Sequence, residues 1–114
     1  MGRSQKANRS ETSQVRYRLE IHPDALDDIE KAAEWYDKRQ SGLGNEFARD
    51  VLHAIDALPL NPLLYRLRHR RANVRWKLID TFPYRVVYQI TGDVITVFAV
   101  LHSVRQERHW RKRL

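Results

Sequence analysis

Tyr84-Arg85-Val86-Val87-Tyr88-Gln89-Ile90-Thr91-Gly92-Asp93-Val94-Ile95-Thr96-Val97-Phe98-Ala99-Val100-Leu101-His102 is the stretch that decides the fold. Its first part alternates, with Tyr84, Val86, Tyr88 and Ile90 on one side and Arg85, Val87 and Gln89 on the other, the two-residue period of a strand. Thr91-Gly92-Asp93 interrupts that period with hairpin residues. The run from Val94 to Leu101 is then apolar on both sides, Val94, Phe98 and Val100 against Ile95, Val97, Ala99 and Leu101. Such a strand belongs inside a sheet and not at its edge. The stretch therefore predicts a β-hairpin whose second strand is central.

Upstream of the hairpin, Val74, Trp76 and Leu78 alternate with Arg75 and Lys77 and predict a further strand before the Thr81-Phe82-Pro83 break. Residues 59–73 show no period and end in a basic stretch, Arg66, Arg68, His69, Arg70 and Arg71. Two helical stripes precede them. Pro23 and Asp24 open the first, in which Leu26, Ile29, Ala33 and Tyr36 recur at helical spacing, widened by Ala25, Ala32 and Trp35, over about residues 24–39. Ser41-Gly42-Leu43-Gly44-Asn45 breaks it, and Phe47, Val51, Ile55 and Leu58 form a second stripe that stops at Pro59 and Pro62, giving a short-looped helical hairpin. Before the helices, Val15, Tyr17, Leu19 and Ile21 alternate with Arg16, Arg18, Glu20 and His22, a strand with one buried face. Residues 1–14 are polar and aperiodic, which predicts a flexible tail ahead of one domain at residues 15–114. The order is βααβββ. It predicts an α+β fold, a mainly antiparallel four-stranded sheet with the helical hairpin on one face and the last strand between the first strand and the meander.

The chain has 114 residues, a net charge of +7 and no cysteine. That length suits a single domain, and the missing thiols exclude disulfides, thiolate zinc sites and cysteine nucleophiles, in keeping with a cytoplasmic location. No apolar run approaches the length of a membrane span, so no membrane partner is expected. The charge is unevenly placed: residues 23–58 hold nine acids and four bases, whereas residues 59–114 hold twelve bases and three acids. With the helices on one side, Arg16, Arg18, Arg75, Lys77, Arg85 and Gln89 are expected to share the opposite face, an open basic surface suited to nucleic acid or an acidic protein segment. His22, His53, His69, His102 and His109 are scattered without carboxylates at ligand spacing, and no glycine-rich phosphate loop follows a strand, so neither a metal nor another cofactor is expected. Tyr17, Tyr36, Phe47, Trp76, Tyr84 and Tyr88 are assigned to the core. Trp110, in the basic segment Arg108-His109-Trp110-Arg111-Lys112-Arg113, has two readings, stacking on nucleic acid or packing back on the helices.

Several blocks in this order resemble the RelE/ParE superfamily of bacterial type II toxin–antitoxin modules, and within it the ParE-like branch often called plasmid stabilisation proteins. They are Ala32-Ala33-Glu34-Trp35-Tyr36, Gly42-Leu43-Gly44-Asn45-Glu46-Phe47, Leu58 to Pro62, Phe82-Pro83-Tyr84-Arg85-Val86-Val87-Tyr88, Val97 to His102, and Arg105 followed by Trp110 and Arg113. The resemblance implies the same fold and a growth-arresting toxin held inactive in a hetero-oligomer by a cognate antitoxin. It offers two modes of action: ParE proteins act on DNA gyrase and stall replication, while RelE proteins cut messenger RNA in the ribosome without a metal.

Metal-free RNA cleavage needs a base for the 2′-hydroxyl, cations for the phosphorane charge and an acid for the leaving oxygen. By resemblance, Arg85 matches a phosphate-binding arginine and Arg105 a catalytic arginine. Arg75 and Lys77 match a basic pair only across a one-residue gap, and a C-terminal tyrosine of the RelE enzymes is replaced by Arg111. His102 is the substitute acid or base under that alternative. As contact residues for a partner or phosphate, Arg75, Lys77, Arg85 and Arg105 are the candidates in either case. The lost tyrosine favours the ParE-like inhibitor over a RelE-like endoribonuclease; a partner-binding relic of the fold without toxicity is the third reading.

Overall fold

The computed structural model describes residues 16–106 and 108–114. The tail expected over residues 1–14, and Val15, lie outside the described residues. In chain order the elements are β1 (Arg18–Ile21), α1 (Pro23–Arg39), α2 (Leu43–Ala57), β2 (Leu67–His69), β3 (Val74–Leu78), β4 (Tyr84–Thr91) and β5 (Val94–His102), with short 3₁₀ turns at Leu58–Leu60 and His109–Arg113. The strands form one sheet in the order β1-β5-β4-β3-β2. β1 runs parallel to β5 and every other pairing is antiparallel. The last strand thus lies between β1 and the meander, as the apolar run from Val94 predicts. The sheet has five strands and not four, because three residues of the basic stretch, Leu67–His69, pair irregularly with β3. So short an edge strand leaves no alternating pattern to read.

Local chemistry explains the helix ends. His22 caps α1, its Nδ1 accepting the Asp24 N–H at 3.0 Å, and Pro23 begins the helix where a missing N–H costs nothing. Gly42 turns the chain into α2 at a φ of 91°, a left-handed conformation that favours glycine. Gly44 then lets the two helices approach: its N–H donates to Asp37 Oδ1 at 2.7 Å, and a methyl group there would stand 2.3 Å from the Ala33 carbonyl oxygen. The buried stripe of α1 is Ala25, Ile29 and Ala32, whereas Leu26 is 49% exposed, so the stripe is rotated slightly from the expected one. From α2, Phe47, Val51, Ala54 and Ile55 are buried.

Both helices pack on one sheet face, where Tyr84, Val86, Tyr88 and Ile90 of β4 and Ile95, Val97 and Val100 of β5 complete the main core. Each fully buried aliphatic side chain there contributes about 2 kcal/mol by leaving water. Tyr36, Phe47, Phe82 and Tyr84 meet in tilted and edge-on contacts with centroids 4.9–6.2 Å apart.

The opposite face is not open. Val74, Val87, Phe98, Ala99, Leu101 and Trp110 form a second buried cluster, with Ala72 and Trp76 packed against it. Two expectations change as a result. In β5 the alternation shifts phase: Val87 pairs with Ala99 but Tyr88 pairs with Val97, leaving Phe98 as a bulge. Ile95, Val97 and Val100 consequently face the helices, while Phe98, Ala99 and Leu101 face the second cluster. In β3, Trp76 pairs with Val87 while Arg75 and Lys77 pair with Tyr88 and Val86. Side chains of paired residues share a face, so Arg75 and Lys77 lie on the helix side, away from Arg85 and Gln89. Trp76 occupies the far face instead. Alternation divides a strand into two sets, but which set meets the helices depends on what covers the other side.

Candidate functional site

The bulge in β5 coincides with the end of β1. Ile21 pairs with Val97, the His22 N–H donates to the Val97 carbonyl at 2.8 Å, and beyond that point β5 is an edge. Three side chains satisfy this edge. Asp28 of α1 accepts the Val100 N–H through Oδ2 at 2.9 Å, Gln106 Oε1 accepts the His102 N–H at 3.0 Å, and Arg113 donates to the Phe98 carbonyl at 3.1 Å. Arg113 also grips both Asp28 oxygens, at 2.6 and 3.0 Å, a bidentate pair that holds the last 3₁₀ turn against α1 and β5. This hydrogen bond with Asp28 raises the already high pKa of Arg113.

A cavity of about 260 Å³ opens over this edge, lined by Asp28, Lys31, Ala32, Trp35, Tyr84, Val100, Arg105 and Gln106. His102, outside the lining, adjoins Tyr84. Its Nδ1 accepts the N–H groups of Val104 and Arg105 at 3.2 and 3.1 Å, so this nitrogen carries no proton and the imidazole acts as the cap of the turn bearing Arg105. Burial and the nearby Arg105 charge lower the pKa of His102. The Arg105 guanidinium carbon lies 5.4 Å from the centre of the Trp35 ring, and that of Arg39 lies 4.1 Å from it. Burial raises the pKa of Tyr84, with its ring 5.4 Å from that of His102. His102 and Arg105, paired in the sequence reading, are therefore adjacent beside a cavity.

The other three candidates lie elsewhere. Arg85 is 7% exposed; its guanidinium donates to the Ser103 carbonyl at 2.8 Å and stacks over Trp76 at 4.2 Å. It braces the far face and the turn after β5. Arg75 donates to the Tyr65 carbonyl at 2.9 Å and to Asn73 Oδ1 at 2.6 Å, while Lys77 lies 5.7 Å from the Tyr65 ring. They meet neither Arg85 nor the His102–Arg105 turn. The single basic centre expected from Arg75, Lys77, Arg85 and Arg105 is divided among three places.

Sequence reasoning passed over Asp28 and gave Trp110 the wrong neighbour. In the sequence Asp28 is one of the nine acids of residues 23–58, whereas its side chain is only 12% exposed and spans from helix to strand. Trp110 packs on the far face of the sheet and not back on the helices. The signal was present in the run Phe98 to Leu101: a strand apolar on both sides needs a second cover, and Trp110 is the one large apolar residue of the final basic segment. Among the described residues no three His, Asp or Glu side chains gather as metal ligands, and no helix is long and apolar enough to cross a membrane.

A family model described as the ParE toxin of type II toxin-antitoxin system, parDE, matches residues 19–107. The chain belongs to the ParE toxin family. It is thus a toxin of the type II toxin–antitoxin class, with the α+β fold of the wider RelE/ParE superfamily. No curated protein sequence matches it significantly. Among solved structures, a chain of the chromosomal ParDE toxin–antitoxin system from P. aeruginosa superposes with a TM-score of 0.69 at 14% identity, over 76% of this chain and 96% of that one. A chain of the archaeal RelE–RelB complex from Pyrococcus horikoshii OT3 gives a TM-score of 0.46 at 17% identity, over 79% of this chain and 98% of that one. The family's model spans α1, both sheet faces and the His102–Arg105 turn; Trp110 and Arg113 lie beyond the matched residues.

Proposed function

We propose that this ParE family toxin is neutralised by a cognate antitoxin and arrests growth in the cytoplasm by inhibiting DNA gyrase, acting as a protein-directed inhibitor. The observation that carries the choice of mode is the separation of the cations. An endoribonuclease of the RelE kind needs its phosphate-binding and proton-transferring groups around one scissile bond. Here Arg85 is committed to the Ser103 carbonyl and the Trp76 ring, and Arg75 and Lys77 lie on the other side of the sheet. That arrangement supports a contact surface over a catalytic centre. The antitoxin reading draws on the ParDE system of which the structural neighbour is part.

The test is a supercoiling assay with purified toxin and gyrase, paired with transcript mapping in induced cells. Supercoiling blocked at excess toxin, with transcripts intact and activity restored by the antitoxin, is the expected result. Undisturbed supercoiling overturns the gyrase target. Discrete transcript cleavages that vanish in Arg105→Ala would transfer the assignment to the endoribonuclease mode, with His102 and Arg105 as its centre.

A further inference from the structure

Exposed leucines gather at one corner of the molecule, between the end of α2 and the edge strand β2. Leu60, Leu63 and Leu64 are 87%, 57% and 65% exposed, and the exposed Leu67 of β2 follows them. Single apolar side chains on a surface are ordinary, but four within eight residues form a group. The loop that carries them is pinned. Pro62 is buried and its carbonyl accepts the Tyr88 hydroxyl at 2.5 Å, while Arg75 Nε donates to the Tyr65 carbonyl at 2.9 Å. Burial pushes the Tyr88 hydroxyl up to about 12, so it keeps the proton that it donates. The Leu64 N–H closes the turn on the Asn61 carbonyl at 3.2 Å. Leu63 and Leu64 thus stand outward between two fixed points of the chain.

The surroundings carry charge of one sign. Residues 57–79 hold six cations, Arg66, Arg68, Arg70, Arg71, Arg75 and Lys77, and no acid. Arg66, Arg70 and Arg71 are exposed, and among the described residues no carboxylate pairs with them. Arg66, Lys77 and the exposed Leu78 line one hollow with Tyr65, which brings the end of β3 to the same corner.

The form of this corner decides what it fits. An amphipathic helix is received in a groove, and a leucine 87% exposed has too little beside it to line one. Hot spots of protein interfaces sit in closed, desolvated pockets and under-use leucine. An anionic bilayer requires the opposite, apolar side chains that protrude into the acyl boundary beside a cluster of roughly four to eight Lys and Arg. That no helix among the described residues is long and apolar enough to cross a membrane bears on spanning a bilayer, not on lying against one. We infer that this corner docks on an anionic lipid surface, with Leu60, Leu63 and Leu64 inserted at the acyl boundary and Arg66, Arg70 and Arg71 against the headgroup phosphates. The contact is peripheral and reversible. It is independent of the gyrase reading, since binding is measured on the toxin alone.

The experiment is co-sedimentation of the full chain with phosphatidylcholine vesicles that contain or lack one-third phosphatidylglycerol. A chain of net charge +7 adheres to anionic vesicles through any basic face, so readouts at the loop decide. Because the chain has no cysteine, Leu64→Cys and Leu26→Cys each take a single polarity-sensitive fluorophore, one on the loop and one on α1. The expected result is a blue shift of the label at position 64 on anionic vesicles and none at position 26. Leu63→Ser/Leu64→Ser should weaken partitioning about tenfold, and Arg66→Gln, Arg70→Gln and Arg71→Gln about fivefold each at low salt. All of these side chains are exposed, and circular dichroism checks that each variant is folded. The inference is overturned if neither vesicle binds, or if neutral vesicles bind as well as anionic ones. It is equally overturned if the label at position 64 stays unshifted on bound protein, or if the folded leucine variant partitions like its parent. A poly-glutamate peptide that shifts this label where vesicles do not would overturn it in favour of an acidic protein partner.

Discussion

The two faces of the sheet are closed in different ways. On one side, two helices bury a continuous core that includes Phe47, Val51, Ile55 and seven residues of β4 and β5. On the other, one 3₁₀ turn brings a single tryptophan over a smaller cluster, and arginines complete the cover. The first closure is distributed, so that loss of one side chain leaves many contacts. The second is concentrated in Trp110 and in the Arg113–Asp28 clamp, so a single change removes most of it. The helix side thus closes over a continuous core, whereas the cation-rich side depends on one turn and keeps a hollow of about 620 Å³ beside it.

The sharpest way to break this asymmetry is Trp110→Ala. Trp110 is 2% exposed, and its truncation should cost about 4 kcal/mol, read as a lower denaturant midpoint together with loss of near-ultraviolet dichroism from Trp76. Asp28→Ala comes next. It strips Arg113 of its partner and leaves the Val100 N–H unsatisfied, for a cost of about 3 kcal/mol by the same measurement. Asp28→Ala and Trp110→Ala act on one clamp, so the double variant should cost less than the two single costs added together. Full additivity would show that the turn is not a unit.

The smallest effect is a pH dependence. His102 has its pKa lowered in the fold from 6.5, first by burial and then by Arg105. Between the folded and unfolded values the unfolded chain binds more protons, so stability rises with pH there. The contribution is therefore complete above about pH 6.5 and is lost as pH falls through the folded pKa. His102→Asn retains an oxygen that can accept from the N–H groups two and three residues on, yet does not titrate. Urea midpoints measured on both proteins from neutral pH downward should converge as pH falls, and parallel curves would remove His102 as the titrating cap.

How far the sequence foretold this structure depends on the kind of signal each element carries. β4 alternates, β5 is a continuous apolar run, and the helical stripes recur over several turns, so their type and order were readable from residue spacing. The sidedness of β3 was not. Val74-Arg75-Trp76-Lys77-Leu78 has the same alternation whichever set faces the helices, and only the far-face cover provided by Trp110 decides it. The phase shift at Phe98 was hidden for a related reason: in a run apolar on both sides, one inserted residue leaves the pattern unchanged. At the candidate site, the neighbourhood of His102 and Arg105 was readable because three residues cannot place them far apart. The roles of Arg85 and Asp28 were not, since a charged side chain in a sequence does not reveal whether it will be turned toward solvent or used as an internal brace.

The Asp28–Arg113 clamp joins groups 85 positions apart, and the parallel pairing of β1 with β5 likewise waits for the late part of the chain. Contacts this remote are slow to form, because the loop between them must be closed before they repay its entropy. On the ribosome they cannot form at all until the residues through Arg113 have left the exit tunnel. The helical hairpin is available early, whereas the edge of β5 and the hollow beneath Trp110 are completed last. A nascent toxin of this design therefore passes through synthesis with its cation-rich face unfinished, and gains that surface only when the clamp closes.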